Sequence, residues 1–214
     1  MAKEAKRGCM RYVSGWRQMA ALMTALLGLA GCAQAIDTTE APKQESGLQR
    51  VVREMLASQA AGRLGDLHGT GVITGPVAVF MTNGEVSLIP NSPELGAVLA
   101  KIHQRWMEGR RQPLPLQEFQ RAFLALTAQR VAVKELGGES LVRFAKTDEK
   151  GQYRFDQVPE GQWRLVGSMN SQVSALLWAV PVEVQPGTVS EISLSDLNIL
   201  LEARTEKAEA RPAP

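Results

Sequence analysis

Apolar and polar residues alternate most regularly between residues 147 and 165. In a β-strand, side chains two positions apart point to the same face. The alternation places four apolar side chains on one face: Tyr153, Phe155, Trp163 and Leu165. Arg164 falls on the opposite face and is expected to point outward. The segments 148–151 and 158–161 carry Asp, Gly and Pro where β-turns prefer them. The stretch is therefore predicted to be the central hairpin of a β-meander in a small β-sandwich.

Short β-branched runs predict further strands on both sides of this stretch. They are Val72-Ile73, Val77–Phe80, Val86–Ile89, Val131–Val133, Leu141–Phe144, Val180–Val184 and Ile192–Leu194. Asn83-Gly84 lies between two of these runs and tolerates the positive φ angles of a type I′ turn, so a hairpin is predicted there. Gly137-Gly138 is predicted to be the turn between two others.

Two other regions have apolar residues at helical spacing. Residues 46–66 are predicted to form an amphipathic helix, which either docks on its own domain or binds a lipid surface or a partner. Residues 92–130 are predicted to be a helical hairpin inserted between strands. Its first helix runs from the N-cap Ser92 to about Gly109, and its second from Leu116 to Arg130. The side chains expected to point inward from the second helix are Leu116, Phe119, Phe123 and Leu126.

The amino-terminal region has the order of an export signal. Five basic residues precede an uncharged, mostly apolar run, Met19–Ala30, which is shorter than a membrane-spanning helix of about 20 residues. It leads into Leu29-Ala30-Gly31-Cys32, which resembles the lipobox of bacterial lipoproteins. In that family the chain is cut before an acylated cysteine. The resemblance implies lipid attachment at Cys32 and signal peptidase recognition at Leu29, Ala30 and Gly31.

This processing defines the expected location and the ends of the domain. An uncleaved anchor and an ordinary secretory signal are the alternatives, and Met10 is a second candidate initiator. Residue 33 is Ala, not the Asp that favours inner-membrane retention in enteric lipoproteins. The expected location is therefore the cell envelope, at the outer membrane and facing the periplasm. The predicted organisation is a signal over 1–31, a tether over 32–45, the sandwich over 67–201 and a disordered tail over 202–214.

The charge and cysteine content change with this cleavage. Cys9 leaves with the signal and Cys32 carries lipid, so the exported part has no thiol for a disulfide. The first 31 residues hold five of the 24 basic and one of the 22 acidic residues, so the net charge changes from +2 to −2. Because the basic balance belongs to the signal, no nucleic-acid partner is expected.

The stretch 147–165 also resembles a family signature, that of carboxypeptidase regulatory-like domains. The matching residues are Thr147, Asp148, Gly151, Tyr153, Phe155, Val158, Pro159, Gly161, Trp163 and Leu165. The resemblance covers about Thr70 to Leu194, apart from Ser92–Glu139. It implies a mainly β fold, a Greek-key transthyretin-like β-sandwich of about seven strands, here with a helical insertion and an N-terminal amphipathic helix. It also implies that the domain carries no catalytic residues of its own.

Few residues of the exported part suggest chemistry. Its two histidines, His68 and His103, fall in different regions, and a zinc site needs three or four ligands. No metal, cofactor or catalytic residue is therefore expected. The signature aromatics could stack on sugars, although their alternating positions favour the core. Trp106, Arg110 and Arg111, near the bend of the insertion, form a candidate interaction surface for an acidic partner or a lipid head group; a solvated loop is the alternative.

The sequence therefore favours a lipid-anchored envelope protein that is not an enzyme. Its sandwich is expected to be an interaction or scaffolding module that contacts another envelope protein through the insertion. One alternative is a carbohydrate-binding module for envelope glycan, and another is an accessory domain of a separate enzyme. An apolar groove built from Leu95, Val98 or Phe119 would favour the first function. An exposed row of aromatic residues on one sheet face would favour glycan binding.

Overall fold

The computed structural model describes residues 45–75, 77–171 and 174–204. The helices are α1 (Gly47–Ala60), α2 (Pro93–Glu108) and α3 (Leu116–Glu135), followed by a short 3-10 helix (Glu139–Leu141). The strands are β1 (Leu64–Thr70), β2 (Val72–Ile73), β3 (Val79–Phe80), β4 (Glu85–Pro90), β5 (Arg143–Lys146), β6 (Gln152–Pro159), β7 (Gly161–Asn170), β8 (Ser174–Val184), β9 (Val189–Glu191) and β10 (Ile199–Arg204). The predicted signal and the Cys32 lipid site lie outside the described residues, as does nearly all of the tether. None of the described helices is long and apolar enough to cross a membrane.

The strands form a larger sheet, a smaller sheet and a separate hairpin. The larger sheet has the order β10-β8-β7-β4-β5, and all its neighbours are antiparallel. The smaller sheet has the order β6-β1-β9, with β6 antiparallel and β9 parallel to β1. The separate hairpin pairs β2 with β3. This arrangement confirms the predicted fold class, a mainly β protein with a β-sandwich and a helical insertion.

The centre of the larger sheet is buried on both faces. Five consecutive residues of β7, from Trp163 to Gly167, are buried. On one face, the Arg130 guanidinium of α3 donates to the Ser87 hydroxyl of β4 at 2.6 Å. On the other face, Leu194, in the segment after β9, packs closely against Gly167. A Cβ added to Gly167 would lie 2.6 Å from the Leu194 side chain. The insertion therefore covers one face of the larger sheet and the smaller sheet covers the other.

The stretch 147–165 is not a hairpin within one sheet, so the predicted β-meander is wrong. Its first strand, β6, belongs to the smaller sheet and its second, β7, to the larger one. The corner between them is fixed by the Trp163 indole Nε1, which donates to the Pro159 carbonyl at 2.8 Å. Gly161, at this corner, has a φ of 144°, a backbone conformation that residues with a side chain rarely adopt. The turn chemistry therefore moves the chain from one layer of the sandwich to the other.

Arg164 is buried, although the alternation predicts that it points outward. Only 8% of the residue is exposed. Arg164 does lie on the predicted face of β7, but α2 covers that face. Gly96 of α2 is so near that a Cβ added to it would lie 3.6 Å from Arg164 Nη2. A pattern within one strand cannot show that a distant helix covers the polar face.

The insertion lies between β4 and β5, which are antiparallel neighbours. Ser92 caps α2, where its Oγ accepts a hydrogen bond from Leu95 N at 3.2 Å.

The predicted strand Val131–Val133 is wrong because α3 continues to Glu135. Gly137, with a φ of 78°, ends that helix in a Schellman motif, and Gly138 N donates to Val133 O at 2.9 Å. The Gly-Gly pair is therefore a helix end and not a turn between strands.

The hairpin predicted at Asn83-Gly84 is also wrong. Asn83 does adopt a positive φ of 53°. However, β3 pairs with β2, whereas β4 pairs with β5 and β7. The turn therefore connects two different sheets.

The amino-terminal helix is shorter than predicted and is docked on its own domain. It ends at Ala60, and Leu64–Asp66 already belong to β1. Ser46 and Gln49 form a capping box, which fixes its start. Val52 and Met55 are buried against the rest of the domain. At the other end, Glu202–Arg204 pair with β8, so the predicted start of the tail at residue 202 is wrong.

Candidate functional site

The bend of the insertion does not present the aromatic contact that the sequence predicts. Trp106 is only 3% exposed and belongs to the hydrophobic core. The guanidinium carbon of Arg111 lies 5.7 Å from the centroid of the Trp106 ring, within the range of a cation–π contact. Arg110 and Arg111 are exposed and adopt φ angles of 54° and 58°. The bend therefore supplies two exposed cations, while its aromatic side chain supports the fold.

The aromatic residues of the signature also belong to the core. Tyr153, Phe155 and Trp163 are buried, and Leu165 lies beside them in the same cluster. The Tyr153 hydroxyl donates to the Ile192 carbonyl, and burial raises the pKa of this hydroxyl above its usual range. Among the described residues, the exposed aromatic side chains are Phe80, Phe123 and Phe144, each on a different element. No exposed aromatic row occurs on one sheet face of the described residues.

The remaining signature residues form the turn before β6. The Asp148 carboxylate accepts hydrogen bonds from Lys150 N and Gln152 N, both at 2.8 Å. The Gly151 amide donates to the Asp148 carbonyl at 3.0 Å, and Gly151 has a φ of 73°. These bonds give Asp148 and Gly151 a structural role in the turn.

The insertion carries an open apolar groove between α3 and the end of β7. We call it the α3 groove; its lining residues are Phe119, Gln120, Phe123, Leu124, Ser168 and Asn170, and its volume is about 470 Å³. Leu124 is 66% exposed and Phe123 is 45% exposed. Phe123 was predicted to point inward, which is wrong. The buried stripe of α3 is Ala122, Leu126, Gln129 and Val133, so Phe123 lies one position beside it.

The pairing of β4 with β7 ends beside this groove. β4 pairs with β7 only from Trp163 to Gly167. Ser168–Asn170 continue β7 and stay paired with β8 on the other side. Three residues of β7 therefore project beyond the end of the β4 pairing. An apolar cavity next to such an edge matches the way in which sheets bind extended peptides.

A second opening is polar and lies between β5 and the smaller sheet. This polar cleft has a volume of about 790 Å³. Its lining includes His68, Thr70, Phe144, Lys146, Asp148, Gln152, Tyr153, Arg154 and Glu191. Phe144 is 51% exposed, and its ring lies 5.5 Å from the guanidinium carbon of Arg130. The cleft therefore gathers many hydrogen-bonding side chains, while Phe144, at its border, turns its ring toward Arg130 on the face of β5 that α3 covers.

The outer face of the smaller sheet carries a cluster that the sequence reasoning missed. Asp66, His68 and Asp156 each offer a ligand atom, and these atoms lie within 4.8 Å of one another. His68 Nε2 is 3.9 Å from Asp156 Oδ1. The Asp66 carboxylate already accepts from Gln157 N at 2.9 Å, and Arg154 donates to Asp156. One histidine and two carboxylates are donors that a divalent transition metal accepts, but here a metal would compete with Arg154.

The spacing of Asp66 and His68 was the available signal for this cluster. Two residues apart on a strand, they share a face. His103 is remote from them, on α2, where its Nδ1 lies 2.9 Å from the Leu200 carbonyl. The two histidines therefore lie in different parts of the domain, as the sequence indicated.

Comparison with known proteins yields structural neighbours alone. No protein-family profile and no curated protein match the chain. A candidate carbohydrate-binding protein of Pseudomonas aeruginosa (PA1324) is 19% identical, with a TM-score of 0.37, over 62% of this chain and 88% of the other. The pilus backbone protein RrgB of Streptococcus pneumoniae is 12% identical, with a TM-score of 0.28, over 60% of this chain and 40% of the other. Likeness of this size carries no argument about function.

Proposed function

We propose that this protein is a non-enzymatic, lipid-anchored envelope adaptor that binds an extended segment of another envelope protein in the α3 groove. The observation that supports this proposal is the apolar groove of Phe119, Phe123 and Leu124 beside the end of β7, where the pairing with β4 has stopped. The proposed segment adds to Ser168–Asn170 as a strand and places one apolar side chain in the groove. Within this proposal the β-sandwich is a carboxypeptidase regulatory-like domain.

The composition of the groove favours a protein partner. The centres of protein interfaces are depleted in charge and enriched in aromatic side chains. No titratable side chain lines the α3 groove, and its apolar lining residues are Phe119, Phe123 and Leu124. Gln120, Ser168 and Asn170 are its polar lining residues. This arrangement gives an apolar anchor site with a hydrogen-bonding border.

The proposed lipid anchor at Cys32 is compatible with such a partner. The predicted tether of residues 32–45 could reach about 45 Å when fully extended. It is polar and lacks an apolar period. In this proposal the domain stands away from the outer membrane on its periplasmic side and can meet a partner beside the membrane.

The groove can be tested with two substitutions that place the same charge on different exposed surfaces. Leu124→Glu puts a carboxylate in the α3 groove, and Val189→Glu puts one at an exposed apolar position on β9. Tagged full-length chains are cross-linked mildly in the envelope and purified from detergent extracts. We expect Leu124→Glu to reduce recovery of the bound partner by about ten-fold, because a buried unpaired charge opposes docking. Val189→Glu should leave recovery unchanged.

A photo-reactive side chain at Asn170 identifies the occupant of the groove. Its cross-link should join one extended segment of the partner that Leu124→Glu loses. Equal recovery with Leu124→Glu and Val189→Glu would contradict docking in the groove. Strand addition would be contradicted if the side chain at position 170 cross-linked to one protein while Leu124→Glu abolished binding of another.

The polar cleft favours envelope glycan as a second candidate ligand. Sugars bind sites in which one aromatic face adjoins several hydrogen-bonding side chains. The cleft provides the hydrogen-bonding side chains of such a site, and Phe144 is the exposed aromatic residue at its border. If the cleft binds glycan, the wild-type chain will sediment with purified peptidoglycan sacculi, and Phe144→Ala will weaken binding about five-fold, equivalent to about 1 kcal/mol. Phe80→Ala, at another exposed ring, is the matched control. No sedimentation of the wild-type chain would eliminate this candidate.

A further inference from the structure

Arg164 is a buried cation whose hydrogen-bond partners are all neutral. Its Nε and Nη2 donate to Asn91 Oδ1 at 3.1 and 2.7 Å, and its Nη1 donates to the Ala179 carbonyl at 3.0 Å. A guanidinium has five N–H groups. These three bonds leave one N–H on each terminal nitrogen for another partner.

The guanidinium lines a pocket beneath α2. The pocket has a volume of about 460 Å³, within the range of small-molecule sites. Most of its lining residues are apolar, among them Leu99, Ala100, Val180, Pro181, Ile199 and Leu200, whereas Arg164, His103 and Asn198 supply polar surface. Gly96 leaves space beside the guanidinium, since a Cβ at this position would lie 3.6 Å from Arg164 Nη2. The pocket is separate from the α3 groove and shares no lining residue with it.

No residue that lines this pocket carries a carboxylate. Arg164 is its only charged side chain, and His103 is the only other titratable one. Removing a charge from water is unfavourable unless an opposite charge or a full set of hydrogen bonds compensates. Burial accordingly lowers the pKa of Arg164. A bound anion would restore the missing charge partner.

We propose that this pocket binds the carboxylate of a small organic acid. Arg164 pairs with the carboxylate through its two remaining N–H groups, a geometry that guanidinium and carboxylate groups favour. The apolar wall holds the hydrocarbon part of the molecule. This assignment is independent of the adaptor function, because docking in the α3 groove involves none of these residues.

The probe pair for this pocket is benzoate and benzamide, which have nearly the same shape and differ in charge. Isothermal titration of the purified full-length chain at constant ionic strength should show saturable benzoate binding. Benzamide should bind at least about ten-fold more weakly, because it cannot form the charged pair. Arg164→Met should remove this difference between the two probes.

A second variant keeps Arg164 and fills the space beside it. Gly96→Val should weaken benzoate binding about ten-fold, because its side chain occupies the position next to Nη2. Ala97→Val introduces the same residue at an exposed neighbouring position that does not line the pocket, and should leave affinity unchanged. This pair decides the question even if Arg164→Met fails to fold. Equal affinities for benzoate and benzamide, absent saturation, or equal binding by the two valine variants would overturn the proposal.

Discussion

We expect Gly69→Ala to lower the free energy of unfolding by about 3 kcal/mol, a large effect for one methyl group. A Cβ at this position would overlap the Ile192 carbonyl oxygen and the Tyr153 ring and hydroxyl. These atoms cannot separate easily, because the Tyr153 hydroxyl donates to that same carbonyl. Ile192 N also donates to the His68 carbonyl at 2.9 Å. The methyl group would therefore force apart β1 and the chain that follows β9.

Gly75→Ala is the matched control for this prediction. The nearest atom to a Cβ at Gly75 would be the Val77 carbonyl oxygen at 3.7 Å, an ordinary contact distance. Its substitution should change stability by less than about 0.5 kcal/mol. Urea unfolding of the full-length variants, followed by tryptophan fluorescence, measures both effects. Similar midpoints for the two variants would show that β1 and the Ile192 segment do not pack as closely as described.

The turn chemistry of the signature stretch could be deduced from sequence, but the sheet that each strand joins could not. Asp148 and Gly151 make the local hydrogen bonds that their residue types favour. The same pattern suits a turn within a sheet and a corner between two sheets. The choice depends on distant contacts, such as the pairing of β6 with β1. The local pattern of β6 cannot show this pairing, because β1 lies about 90 residues earlier in the chain.

The insertion shows a related limit. Val131–Val133 are β-branched or small, so local preference favours a strand. In the fold, Val133 continues the buried stripe that begins at Ala122, and burial of that stripe outweighs the weak intrinsic preference. Gly137 then ends the helix where a turn between strands was predicted. Tertiary packing determined both the extent of α3 and the exposure of Phe123.

The candidate sites depend on the same long-range packing. The α3 groove is lined by α3 of the insertion and by β7, and the contact surface expected on the insertion stays a prediction. The sequence could not show that Trp106 is buried or that Arg164 lines a pocket, because both depend on how α2 meets the larger sheet. The Asp66–His68 pair was visible as an alternating pattern, but Asp156 joins it only through the pairing of β1 with β6.

The largest expected change in location comes from Cys32→Ser. If Cys32 carries acyl chains, replacing its sulfur removes the attachment point, and the chain should no longer be cut by the lipoprotein signal peptidase. Each buried CH₂ of an acyl chain contributes about 0.8 kcal/mol of membrane binding. We therefore expect loss of lipid labelling and of the mature lipid-modified form. Metabolic labelling with a radioactive fatty acid, combined with gel mobility and fractionation with envelope membranes, measures these changes.

Cys9→Ser separates the lipid attachment from general effects of cysteine removal. Cys9 lies before the apolar run Met19–Ala30 of the predicted signal, so its replacement should leave labelling, cleavage and fractionation unchanged. Normal labelling and cleavage of Cys32→Ser would refute the lipobox assignment and, with it, the anchored part of the proposed function. The α3 groove would remain the proposed binding surface in that case, because its lining residues belong to α3 and β7. Lipid attachment at Cys32 and docking in the α3 groove are therefore independent of each other, and Cys32→Ser and Leu124→Glu test them separately.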